Sequence, residues 1–219
     1  MRAALAGALG QRTLGDVLHH TVVPAVNVTR SLTKVFKTPH DPASRGDEAL
    51  CTVDVAMATS AAPAYFPAVR IGDDLYADGS MFAVAPDQVA LHEIEHFLGI
   101  AAERVSMLSV GTATAGCQPA GGVDSDDGAV GWLTDGRLLL TLVSVQQQHV
   151  QAVMEDRLRR RYLRIDARWP ASAGLGIDVA TREASQVLVD VATQAIEGLN
   201  TKALKTLLDG GRGRRLASG

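Results

Sequence analysis

Apolar positions recur along this chain with two different spacings, and the switches between them predict where helices and strands fall. Leu5, Leu9, Leu14 and Leu18 mark one side of a helix-compatible stretch over residues 2–19. Thr21, Val22, Val23, Val26 and Val28 then crowd β-branched side chains around Pro24, which predicts a buried strand. A second strand is predicted over Leu32–Thr38, ending in Phe36-Lys37-Thr38. Residues 39–48 hold two prolines, a glycine and several charges, the make-up of a surface loop. From Val53 to Ala62 small residues dominate, so the expected helix can lie close against its neighbours, and Pro63 is expected to end it.

The remainder alternates in the same way. Tyr76-Ala77-Asp78-Gly79 reads as a strand running into an Asp-Gly turn, with Gly79 expected to supply a positive φ. Pro86 fits the first turn of a helix to about Leu98, with Val89, Leu91, Ile94, Phe97 and Leu98 on its apolar side. Arg104–Val110 predicts a strand, and the stretch after it, with Asp124, Asp126 and Asp127, predicts a solvated loop. A long helix from about Val130 to Arg161 and a short strand Tyr162–Ile165 follow. Ala184, Leu188, Val191, Ala195 and Leu199 stripe an amphipathic helix over Thr181–Leu199, and residues 210–219 read as a flexible basic tail. Helices alternating with strands define an α/β protein, a sheet with helices on both faces. With no repeat and no linker, one domain over residues 1–219 is expected.

Composition narrows the function. A net charge of −3 argues against a nucleic-acid partner, which normally meets a basic surplus. No apolar run reaches the roughly 18 residues of a spanning helix. The first ten residues carry a single positive charge and a weak apolar stretch, unlike a signal peptide. A cytoplasmic protein is therefore expected, with a membrane surface as a second, peripheral setting. Cys51 and Cys117 have neither metal-ligand spacing nor a disulfide framework, which fits free thiols in a reducing compartment.

Ala58-Thr59-Ser60-Ala61-Ala62-Pro63-Ala64-Tyr65-Phe66-Pro67, followed by Asp78-Gly79-Ser80, resembles the patatin-like phospholipase family. There A-T-S-A-A-P-x-x-F-P precedes D-G-[GA], so Ser80 stands where the family has glycine or alanine. Phe36-Lys37-Thr38 and Ser109-Val110-Gly111-Thr112-Ala113 fit two further strands of that family, the second except at its last position. The resemblance covers residues 14–199. It implies a patatin-type α/β fold and phospholipase A-like hydrolysis of lipid acyl esters by a Ser–Asp dyad, with no metal or organic cofactor. Asp78 would be the proton acceptor, and Gly79 would support its turn. The family carries its nucleophile in G-x-S-x-G, and no serine here has glycine at both −2 and +2. No glycine-rich oxyanion loop lies ahead of Asp78 either, and each lost oxyanion donor costs about 2.7–4 kcal/mol. The chain thus resembles the C-terminal part of a patatin domain, and the 219 residues alone are expected to be inactive.

Two other readings stand beside this one. The chain could be a non-catalytic remnant or interaction subunit that self-associates through an uncovered sheet edge. Alternatively, His92-Glu93-Ile94-Glu95-His96 is a literal H-E-x-x-H, which places two imidazoles on one helix face with Glu93 as a general base for zinc hydrolysis. The third histidine of the extended pattern would fall on Ala102, and the plainer reading is a solvated helix face. Arg157, Arg159, Arg160 and Arg161 suit a helix C-terminus, or contact with anionic lipid headgroups.

Overall fold

The computed structural model describes residues 1–41, 46–63, 65–113, 128, 131–132, 137–168 and 179–212. Strands and helices both occur, so the mixed α/β class read from the sequence holds. The chain divides into two compact units, Met1–Gly99 and Ile100–Gly219.

The first unit is built on a four-stranded antiparallel sheet. Strands β1 (Val22–Asn27), β2 (Leu32–Lys37), β3 (Val69–Ile71) and β4 (Asp74–Asp78) lie in the order β2-β1-β4-β3. Ala25 sits opposite Lys34 on one side and Asp78 on the other, so β4 ends beside the middle of β1. Helix α1 (Arg2–Leu9) stops at Gly10, whose φ of 67° suits a residue without a Cβ. The predicted continuation to residue 19 is therefore cut short: Leu14 enters the core, while Leu18 is 95% exposed. Helix α2 (Thr52–Thr59) packs on β1, β3 and β4. It ends four residues ahead of Pro63, so the proline follows the helix end without causing it. Leu14, Ala25, Phe36, Val55, Ala58 and Tyr76 form the core, and the Phe36 and Tyr76 rings lie 5.2 Å apart. Burial raises the Tyr76 phenol above its ordinary range, with the nearby Asp74 charge adding to it. Short α3 (Ser80–Ala83) and then α4 (Asp87–His96) follow β4.

In the second unit β5 (Met107–Val110) and β6 (Tyr162–Ile165) pair in parallel, Met107 opposite Tyr162 and Val110 opposite Ile165. A parallel pair needs a crossover. Helix α5 (Arg137–Leu158) lies in that crossover and buries the apolar side chains of Val150, Met154 and Leu158. Helix α6 (Arg182–Glu197) starts at Thr181, whose hydroxyl accepts the Ala184 N–H, where the sequence pattern put it. Helix α7 (Thr201–Arg212) carries the backbone in helical form through Gly210-Gly211, where a glycine-broken tail was expected. Residues 213–219 and the aspartates at 124, 126 and 127 lie outside the described residues. No helix among the described residues is long and apolar enough to cross a membrane.

Candidate active site

Asp78 is the last residue of β4, and α2 holds it there. The Asp78 N–H donates to the Ala61 carbonyl at 3.0 Å, and the Gly79 N–H reaches the Thr59 carbonyl at 3.4 Å. The Thr59 hydroxyl in turn donates to the Pro24 carbonyl of β1 at 2.6 Å. The two halves of the sequence pattern, Ala58–Pro67 and Asp78–Ser80, are thus stitched by backbone hydrogen bonds into one piece.

Gly79 plays a different part from the one expected. Its φ is −65°, an ordinary helical value, so no positive φ is required there. What it needs is the missing side chain: a Cβ would lie 2.6 Å from the Pro24 carbonyl carbon and 2.9 Å from the Pro24 Cβ. Gly79 is a glycine of close approach.

The Asp78 side chain is half-buried. One oxygen, Oδ1, accepts the Ser80 N–H at 2.7 Å. Among the described residues nothing else bonds the carboxylate, so its second oxygen keeps its acceptor capacity. Chemically this is a carboxylate held in place through one of its oxygens.

The H-E-x-x-H residues do not share one environment. His92 and His96 are exposed, while Glu93 is 5% exposed. Glu93 Oε1 lies 2.8 Å from Lys37 Nζ and 3.0 Å from His40 Nε2. Lys37 Nζ also meets Asp41 Oδ2 at 3.2 Å, and the His40 Nδ1 faces the Thr38 hydroxyl at 2.8 Å. Phe36-Lys37-Thr38 and His40 therefore close a buried ionic cluster on α4. Sequence reasoning placed Glu93 with its flanking histidines on a solvated helix face, and missed this cluster. The available signal was Lys37 itself, a lysine at the inward end of a β-branched strand, which must find carboxylates when buried.

The second unit holds another polar knot. Asp166 follows β6, and its carboxylate accepts N–H groups from Ala113 at 3.1 Å and Ala167 at 2.9 Å, plus the Gln147 amide at 2.6 Å. Arg164 donates to it through Nε at 3.1 Å and Nη2 at 2.6 Å, and to Ser109 Oγ through Nη1 at 2.7 Å. Burial alone would lower the Arg164 guanidinium, but the hydrogen bond and charge of Asp166 outweigh it and the net shift is upward. Gly111 is required for contact here too, since a Cβ would run into the Asp166 carboxylate. Arg161, from the basic run, donates to the Val105 carbonyl at 3.1 Å. Cys51 carries a free thiol, and Cys117 lies outside the described residues.

Residues 1–91 match the family model described as patatin-like phospholipase. A cGAMP-activated phospholipase of Pseudomonas aeruginosa (strain BWHPSA011 / Pa011) is 36% identical over 200 residues, 91% of this chain and 55% of the relative. A cGAMP-activated phospholipase of Vibrio cholerae serotype O1 (strain ATCC 39315 / El Tor Inaba N16961) is 34% identical over 116 residues, 49% of this chain and 33% of the relative. One of Escherichia coli (strain TW11681) is 33% identical over 108 residues, 47% of this chain and 30% of the relative. The chain thus spans just over half the length of the first of these relatives.

Proposed function

We propose that this chain carries the aspartate half of a Ser–Asp lipid acyl hydrolase, with Asp78 as proton acceptor. The observation that supports it best is the carboxylate itself: fixed by the Ser80 N–H through Oδ1, with spare acceptor capacity on its other oxygen. In the reaction a serine Oγ bonds to the ester carbonyl carbon while its proton passes to Asp78. Asp78 then gives that proton to the departing alkoxide, and an acyl-enzyme remains. Water, deprotonated by the same carboxylate, releases the fatty acid and restores the serine. The substrate class is a phospholipid or related acyl ester, met at a membrane surface. The nucleophile comes from sequence outside these 219 residues, because none of their serines stands in G-x-S-x-G. By the same likeness, turnover is under the control of cGAMP, as the relatives' names state for them.

The test uses protein made from the native locus, with its intact mass recorded. It is assayed for fatty-acid release from phospholipid vesicles with and without cGAMP. The expected result is a mass above 23.0 kDa and release that cGAMP raises. Asp78→Asn should lower it by about 10²–10⁴-fold, the usual scale for a lost acid–base group. A mass near 23.0 kDa with no release would replace this reading by the non-catalytic interaction subunit. Release unchanged in Asp78→Asn would remove Asp78 from the chemistry.

A further inference from the structure

We propose that His92 and His96 form a surface site for one divalent transition-metal ion of the zinc class, without Glu93. One helical turn separates the two residues, so their side chains leave α4 on the same face. Their rings already lie together, with centroids 5.2 Å apart and planes 10° from parallel. Phe97 walls the pair: its ring stands edge-on to His92 at 6.0 Å and 89°, and to His96 at 4.8 Å and 87°. Two exposed imidazoles confined against an aromatic wall lose less rotamer freedom on binding than two free ones.

The chemistry of the donors sets the ligand. Neutral imidazole is a borderline ligand that suits zinc, nickel and copper ions over calcium or magnesium. Nitrogen–metal bonds of about 2.0–2.1 Å require the two rings to turn a nitrogen each toward one ion, and both are exposed and free to do so. Among the described residues no third histidine, cysteine, aspartate or glutamate joins them, so water completes the coordination. Glu93 is the residue that a metallohydrolase motif would use as its base, yet Lys37 and His40 hold it inside the protein. The site therefore binds an ion without the catalytic partner. The face of Phe97 lies 3.5 Å from Lys37 Nζ, so a bound ion would sit one ring away from the buried ionic cluster.

The experiment is a zinc-ion titration of the full chain by calorimetry, with imidazole resonances followed by NMR. His92→Ala, His96→Ala and a His19→Ala/His20→Ala control are titrated in parallel, all at exposed positions. One saturable site is expected, with the His92 and His96 resonances shifting. Each of their variants should weaken it at least about tenfold, which even a supporting residue of a metal site commonly costs. The control should bind as the parent does. Absence of saturable binding at millimolar zinc overturns the proposal, as does binding that survives in both His92→Ala and His96→Ala. Loss of binding confined to the control would do the same. None of these outcomes bears on lipid hydrolysis, so this site and the proposed function stand or fall separately.

Discussion

Asp78 and Asp166 make an instructive pair. Each follows or ends a short strand, and each is served by a nearby glycine that admits no side chain, Gly79 against Pro24 and Gly111 against Asp166. Their carboxylates are treated in opposite ways. Asp166 accepts from two backbone amides, one glutamine and a forked arginine, so its lone pairs are spent. Among the described residues, Asp78 accepts a single backbone N–H. A saturated carboxylate can hold a structure together but has nothing left to offer a substrate proton. Spare acceptor capacity at a fixed position is what separates a candidate base from a structural brace.

The contrast is open to attack by substitution, ranked here by effect on folding. Asp166→Ala strands the Arg164 guanidinium, whose side chain is 7% exposed, among groups arranged for its partner. Breaking a buried pair from one side is expected to cost about 3 kcal/mol. Urea unfolding followed by far-UV circular dichroism would read this as a lower midpoint, and an unchanged midpoint would mean that the knot is dispensable. Gly79→Ala comes next. Its Cβ must displace the Pro24 carbonyl, for about 1–3 kcal/mol of overpacking strain. If Gly79 were there for positive φ instead, asparagine would be tolerated better than alanine, and the pair of variants decides between the two.

A smaller effect is expected at the Arg30–Asp74 pair, 3.0 Å apart at the protein surface. The Arg30 hydrogen bond holds the Asp74 carboxyl below the usual carboxylate range. Its contribution is thus complete above the unfolded-state value and is lost as pH falls through the lower folded-state one. Arg30→Gln should flatten the fall in urea midpoint between about pH 5 and about pH 2, the span that brackets an aspartate's titration. An identical acid slope in parent and variant would dismiss the pair as a contributor. Asp78→Asn belongs at the bottom of this ranking. With one backbone bond to the carboxylate among the described residues, it should shift stability by no more than about 0.5 kcal/mol, while the proposed fatty-acid release falls by about 10²–10⁴-fold.

Much of the layout could be read from residue patterns. β1, β2 and α6 lie close to where periodicity put them, because the two strands carry β-branched residues and the helix a clean stripe. The misreadings share a cause. Gly10 ended α1, Gly79 needed space and not φ, and Gly210-Gly211 lay inside α7: in each case composition alone could not say which property of glycine was in use. Glu93 was read as a surface base, and its burial escaped notice because its partners, Lys37 and His40, lie far away in the chain. The D-G motif was visible, but the Ala61 and Thr59 carbonyls that hold it were not, since a backbone acceptor leaves no trace in side-chain identity.

The bond from the Asp78 N–H to the Ala61 carbonyl closes a ring of chain that passes through the β3–β4 hairpin. That hairpin turns at Gly72-Asp73, both exposed, with Gly72 at a φ of 60°. The entropy of closing such a ring grows only logarithmically, by about 0.6 kcal/mol for each doubling of its length. The position of Asp78 is therefore nearly indifferent to how long the tip is. Extra residues could be added at Gly72-Asp73 as a tag or a new contact surface, and the carboxylate would stay where α2 and β1 put it.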